Sequence, residues 1–93
     1  MGDSKKTLRV MVKGKVQGVF FRATTKRVAD TLGVYGFIRN EPDGNVYLEV
    51  EGDDEMVNKI IDFCHHGPDG AVVEKVSITL GDWVGYQGFD IRD

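Results

Sequence analysis

The segment Val12-Lys13-Gly14-Lys15-Val16-Gln17-Gly18-Val19-Phe20-Phe21-Arg22 joins a predicted strand to a predicted helix, and its residue types suit anion binding. Upstream, Leu8, Val10 and Val12 alternate with Arg9, Met11 and Lys13, the period-two signature of a half-buried strand. Downstream, a helix start leaves several backbone N–H groups without partners, and they point where the helix dipole is positive. Gly14 and Gly18 allow the loop from Gly14 to Val19 to curl so that successive N–H groups converge. Arg22, in the first helical turn, adds a planar guanidinium that can hold a phosphate through two parallel bonds. Val16, Gln17, Gly18, Val19, Phe20, Phe21 and Arg22 thus form a candidate phosphate-binding loop. Glycines alone would only turn the chain, and a lone arginine is most often a surface ion pair. The combination carries the reading.

Asn40 is the second candidate. It ends a predicted strand, Tyr35 to Asn40, and local sequence alone would have it cap the turn that follows. In a split βαβ unit, however, the first two strands run parallel, so their C-terminal ends lie at one rim of the sheet. That places Asn40 beside the candidate loop, where its amide could hydrogen-bond an attacking water. No Ser, Thr, Cys or His lies between Gly14 and Phe21, and Val16 stands six residues before Arg22, where a cysteine phosphatase would carry its nucleophile. A phosphorylated enzyme intermediate is therefore not expected. Direct attack by water remains, with catalysis by positioning and charge stabilisation. Machinery this modest suits a good leaving group such as a carboxylate.

The elements that must position these residues follow from periodicity. Phe21, Thr25, Val28, Ala29 and Leu32 share one face of a helix from about Phe21 to Leu32, and Gly33 stops it. Pro42-Asp43-Gly44 is a turn. Val46, Leu48 and Val50 alternate in a third strand that Gly52 ends, with Asp53 or Asp54 capping a second helix. That helix buries Val57, Ile60, Ile61 and Cys64 and stops at Gly67-Pro68. Val76, Ile78 and Leu80 mark a fourth strand, and Phe89 with Ile91 a short fifth. The order predicts an α+β fold: a ferredoxin-like split βαββαβ sandwich, an antiparallel sheet with two helices on one face and a short fifth strand. The polar outward faces of the first and third strands predict a sheet packed on one side only.

Composition bounds the rest. Ninety-three residues make one expected domain, residues 1–93, with 1–6 as a flexible tail. A hydrophobic share of 41% and a charged share of 29% exclude a disordered chain. Cys64 is the only cysteine, so a disulfide framework and a four-ligand zinc site of the usual kind are excluded, and a reducing compartment is implied. No apolar run approaches a membrane span of about 18 residues. A net charge of −3 argues against a nucleic-acid partner. A cytoplasmic protein without membrane or nucleic-acid partners is expected.

Val12 to Arg22 resembles the first signature of the acylphosphatase family, and Gly36-Phe37-Ile38-Arg39-Asn40 the second, with Gly44, Val46 and Gly52 at matching spacings. Ala29, Leu32 and Gly33 also sit where the family has them, and the similarity runs from about Leu8 to Ile91. The resemblance implies an acid anhydride hydrolase that cleaves the carboxyl–phosphate bond of small acyl phosphates. Arg22 would bind the phosphate with the loop N–H groups, and Asn40 would orient the water. It implies no metal and no organic cofactor; the expected partners are an acyl phosphate and inorganic phosphate, bound by a monomer. Ile38 and Phe37 depart from the usual residues of the second signature and bear on packing beside Asn40.

Other features have plainer readings. His65 and His66 end a helix, where positive charge is favourable, and adjacent helical residues diverge; a metal site there is not expected. Asp53, Asp54 and Glu55 occupy a first helical turn and complement its dipole. Cys64 falls on the apolar stripe, and Trp83 and Tyr86 are expected to pack on the domain from a Gly-rich loop. A single-stranded RNA reader would need exposed aromatics on strands one and three, where the sequence offers only Tyr47. The remaining alternative is a catalytically silent, anion-sensing relative of the same fold.

Overall fold

A computed structural model of the chain describes residues 4–93. Its elements are β1 (Lys5–Lys15), α1 (Phe21–Leu32), β2 (Tyr35–Asn40), β3 (Val46–Asp53), α2 (Asp54–His66), β4 (Val72–Gly81) and β5 (Phe89–Arg92). β1 begins at Lys5, within the segment the sequence reads as a tail, so Lys5 and Lys6 belong to the sheet. Residues 1–3 of that tail lie outside the described residues.

The strands form one sheet in the order β4-β1-β3-β2-β5. β3 pairs antiparallel with β1 and with β2, and β4 runs antiparallel to β1. β5 adds parallel to β2, which makes the sheet mixed where the sequence suggested an antiparallel one. The βαββαβ order and the short fifth strand are as expected.

The core lies between the sheet and the two helices. Val10, Val12, Ile38, Val46, Leu48 and Val50 point from the strands into it, meeting Phe21 and Ala29 of α1 and Val57, Ile60, Ile61 and Cys64 of α2. Thr25 is buried in the same face because its hydroxyl donates to the Phe21 carbonyl at 2.8 Å, leaving no unpaired group. Asp53 caps α2 by accepting the Glu55 N–H. Burial pushes the Cys64 thiol up to about 12, which suits packing rather than nucleophilic chemistry.

Tertiary placement decides two further features. Val76, Ile78 and Leu80 do mark a strand, but β4 is an edge strand and only Val76 is half-buried; Leu80 is 73% exposed. The opposite face of the sheet is also not left bare. The segment from Gly81 to Phe89 must carry the chain from one sheet edge to the other, across four strand spacings or about 19 Å. Eight Cα steps reach about 28 Å when extended, so the connection can cross that face directly but has no length for a long detour.

Glu51 holds it there. Its side chain points away from the helices and is fully buried. One carboxylate oxygen accepts from the Thr7 hydroxyl and the Val84 N–H, both at 2.6 Å. The other accepts the Gly85 and Tyr86 N–H groups, both at 2.8 Å. Glu49 repeats the device, accepting the hydroxyls of Tyr47 and Tyr86 at 2.6 Å each. Tyr86 also sets its ring edge-on to Phe37, 6.0 Å between centroids. Tyr86 therefore packs as expected, whereas Trp83 stays 55% exposed.

Burial alone would raise the Glu51 carboxyl, but the bonds from Thr7, Val84, Tyr86 and Gly85 outweigh it and hold the group below its ordinary value. The folded state therefore binds fewer protons at this site than the unfolded one. The resulting stability is complete above the ordinary carboxylate range and is lost as pH falls through that range toward the lowered folded value. Glu51→Gln places an amide N–H₂ against backbone donors and is expected to cost about 3 kcal/mol at pH 7. Urea unfolding of both proteins as a function of pH should show the gap between them narrowing in acid; a gap independent of pH would refute the role of the charge.

Candidate active site

β3 lies between β1 and β2 and is antiparallel to both, so those two strands run parallel and end at the same rim. The loop after β1 and the residue that ends β2 therefore meet. Gly14 opens the loop with a β-bulge against β4; a Cβ there would strike the Val72 carbonyl, which only glycine avoids. Val16 anchors the loop in the core at 1% exposure. Gly18 then turns the chain at φ 73°, and Phe20 enters α1 at φ 61°.

Phe20 stands at the N-cap of α1 and supplies no side-chain cap, and the first turn contains no acidic residue. Among the described residues, no loop or turn bond takes a backbone N–H from Gln17 to Ala23 as its donor. These groups lie at the N-terminal, positive end of the α1 dipole, where a helix start favours an anion.

A cleft of about 290 Å³ opens at this point, lined by Val16, Gly18, Phe20, Phe21, Arg22, Ala23, Asn40 and Ile91. Arg22 and Asn40, eighteen positions apart in sequence, thus share one cleft, as the topology argument required. The turn after β2 takes its own side-chain bond from Asp43, whose carboxylate accepts the Asn45 N–H at 3.1 Å. Asn40 is not needed for that task. It also borders a wider neighbouring hollow with Arg39, Glu41, Pro42 and Asp93.

Two members of the candidate loop do something else. Val19 is half-buried against the core. Gln17 turns its amide away from the cleft and donates to the Glu41 carbonyl at 2.8 Å and the Asn45 carbonyl at 2.9 Å. It ties the loop to the β2–β3 turn directly after Asn40, fixing the distance between the two halves of the site. The sequence places Gln17 in the candidate phosphate-binding loop but gives no sign of this tie.

The guanidinium of Arg22 is about one-third exposed. It donates to the Arg92 carbonyl at 3.2 Å and pairs with the Asp93 carboxylate at 3.5 Å. Asp93 is fully exposed, and an ion pair of that kind is weak, so it leaves the Arg22 donors open to competition from another anion. The approach of β5 to the cleft, through Ile91 and these two groups, has no signal in the sequence because it depends on where the 82–88 connection lands. Phe37 and Ile38, in the same strand as Asn40, divide between the faces of the sheet. Ile38 is buried under the helices, and Phe37 stacks beneath Arg92, 4.0 Å from ring centroid to guanidinium carbon.

His65 Nδ1 lies 3.0 Å from the Ile61 carbonyl, one turn back on its own helix, and can donate its N–H to that oxygen. Among the described residues, no group of three or more His, Cys, Asp or Glu side chains is placed to hold a metal ion. No helix among them is long and apolar enough to cross a membrane.

The sequence and the fold have counterparts among known proteins. The sequence profile of the acylphosphatase family matches residues 8–91. An acylphosphatase of Nocardioides sp. is 46% identical over 91 residues, spanning 98% of this chain and 92% of that relative. One from Pelotomaculum thermopropionicum is 46% identical over 89 residues, spanning 95% and 97%. The structure of an acylphosphatase from Coxiella burnetii superposes with a TM-score of 0.91 at 31% identity, covering 95% of this chain and 93% of that one. Matched along nearly its whole length in both sequence and backbone, the chain belongs to the acylphosphatase family.

Proposed function

We propose that the chain is an acylphosphatase that hydrolyses small acyl phosphates by direct attack of water on phosphorus in the cleft between α1 and the end of β2. The observation that carries this reading is the meeting of an uncapped helix start, Arg22 and Asn40 around one opening. The loop N–H groups and the Arg22 guanidinium hold the phosphoryl oxygens and stabilise the charge that builds on them in the transition state. The Asn40 amide carbonyl accepts a hydrogen bond from a water and aims its oxygen at phosphorus. The new P–O bond forms as the anhydride P–O bond breaks. The carboxylate departs with the bonding pair, and the proton from water passes to phosphate or solvent.

No covalent enzyme intermediate is needed, because the side chains that line the cleft include no nucleophile. Cys64, the one thiol, is buried in the core. The reaction requires no metal or organic cofactor on this reading, and a cytoplasmic monomer acting on acyl phosphate and releasing inorganic phosphate fits it. The lone cysteine supports a reducing compartment.

Arg22→Ala and Asn40→Ala are each expected to lower turnover of benzoyl phosphate, assayed without added metal, by at least about a hundredfold with the fold intact. Arg22→Ala should also weaken inhibition by inorganic phosphate, and Asn40→Ala should largely spare it. Turnover retained in Asn40→Ala with phosphate affinity lost would reverse the assigned roles. A wild-type protein that binds phosphate but turns nothing over would instead be the silent anion-sensing domain.

Gln17→Leu removes both ties to the β2–β3 turn and should destabilise the protein by about 2 kcal/mol. Because it lets Asn40 drift from the cradle, kcat should fall about tenfold or more while phosphate inhibition changes far less. Equal losses in both would mean that Gln17 acts on the cradle itself.

A further inference from the structure

Phe20 is unusual in two respects at once. Its backbone is left-handed, at φ 61°, and among the described residues it is the only non-glycine with positive φ. Its side chain is 82% exposed. An aromatic residue gains nothing from either condition: the left-handed region strains an L side chain, and a ring in water forgoes burial. Glycine would meet the backbone requirement without strain, as Gly18 does two positions earlier at φ 73°. The fold therefore does not explain the ring.

Its location does. Phe20 lines the same cleft as Arg22 and Asn40, and so does Ile91 of β5, itself 43% exposed. Two apolar side chains thus stand open to solvent at the edge of a polar phosphoryl site. Any acyl phosphate held there by its phosphoryl group carries an acyl group joined through one bridging oxygen, and that group must lie within reach of the cleft walls.

Resting on the reading of this cleft as the phosphoryl site, we infer that Phe20 and Ile91 form an apolar lip that contacts the acyl group, so that these two side chains set the discrimination between aromatic and small acyl groups. With a left-handed backbone, Phe20 stays outside the core and exposed at the cleft. Selection by such a lip follows from the apolar area that each acyl group removes from water, which is larger for a phenyl ring than for a methyl group.

The test measures kcat/KM for benzoyl phosphate and for acetyl phosphate in wild type, Phe20→Gly and Ile91→Ser, with a melting temperature for each. The benzoyl-to-acetyl ratio should fall about tenfold in Phe20→Gly and in the same direction in Ile91→Ser. Phe20→Gly relieves the left-handed strain, so its melting temperature should not drop; a merely structural Phe20 would move stability and leave the ratio alone. A ratio unchanged in both variants, with both substrates turned over, would overturn the lip and leave the hydrolase reading standing. A wild type inert toward both substrates would overturn both.

Discussion

β3 runs antiparallel between β1 and β2, and almost everything at the site depends on that pairing. Because both neighbours oppose the same strand, they parallel each other, and the chain leaves both at one rim. The loop that leads from β1 into α1 and the residue that closes β2 are brought together by sheet register alone. Backbone ladders of this kind are fixed by the burial of Val46, Leu48 and Val50 on one face, since a one-residue slip would turn all three to the other side.

Register sets the neighbourhood, and a few polar side chains set the distances within it. Gln17 spans from the loop to two carbonyls of the β2–β3 turn, and Glu51 spans from the sheet to three consecutive N–H groups of the 82–88 connection. Both side chains satisfy backbone groups that irregular segments would otherwise leave unpaired. Glu51 has a further consequence. By fixing where the connection crosses, it fixes where β5 joins β2, and β5 brings Ile91 and the Arg92 carbonyl to the cleft.

The site itself is built by leaving things out. α1 lacks a side-chain cap and lacks acidic residues in its first turn, so its positive end is not neutralised from within. α2 shows the contrast: Asp53 caps it, and Asp54 and Glu55 fill its first turn. Two helices of similar length in one small fold thus have opposite N-termini, one closed for stability and one open. A substrate whose leaving group is a carboxylate asks little beyond this open end, one guanidinium and a positioned water.

Much of this was written in the sequence. Alternation in β1 and β3, the three- and four-residue spacing in both helices, and the turn at Pro42-Asp43-Gly44 are local patterns, so one stretch of chain suffices to read them. Their order implies the split βαβ topology, which by itself places Arg22 and Asn40 at one rim. Folding decided the rest. That Ile78 and Leu80 face solvent, that Glu51 is buried, that Gln17 turns from the cleft and that Ile91 lines it all depend on contacts between segments tens of residues apart. A sequence displays which side chains alternate; it does not display which edge a strand occupies or where a connection lands, because those are properties of the assembled sheet.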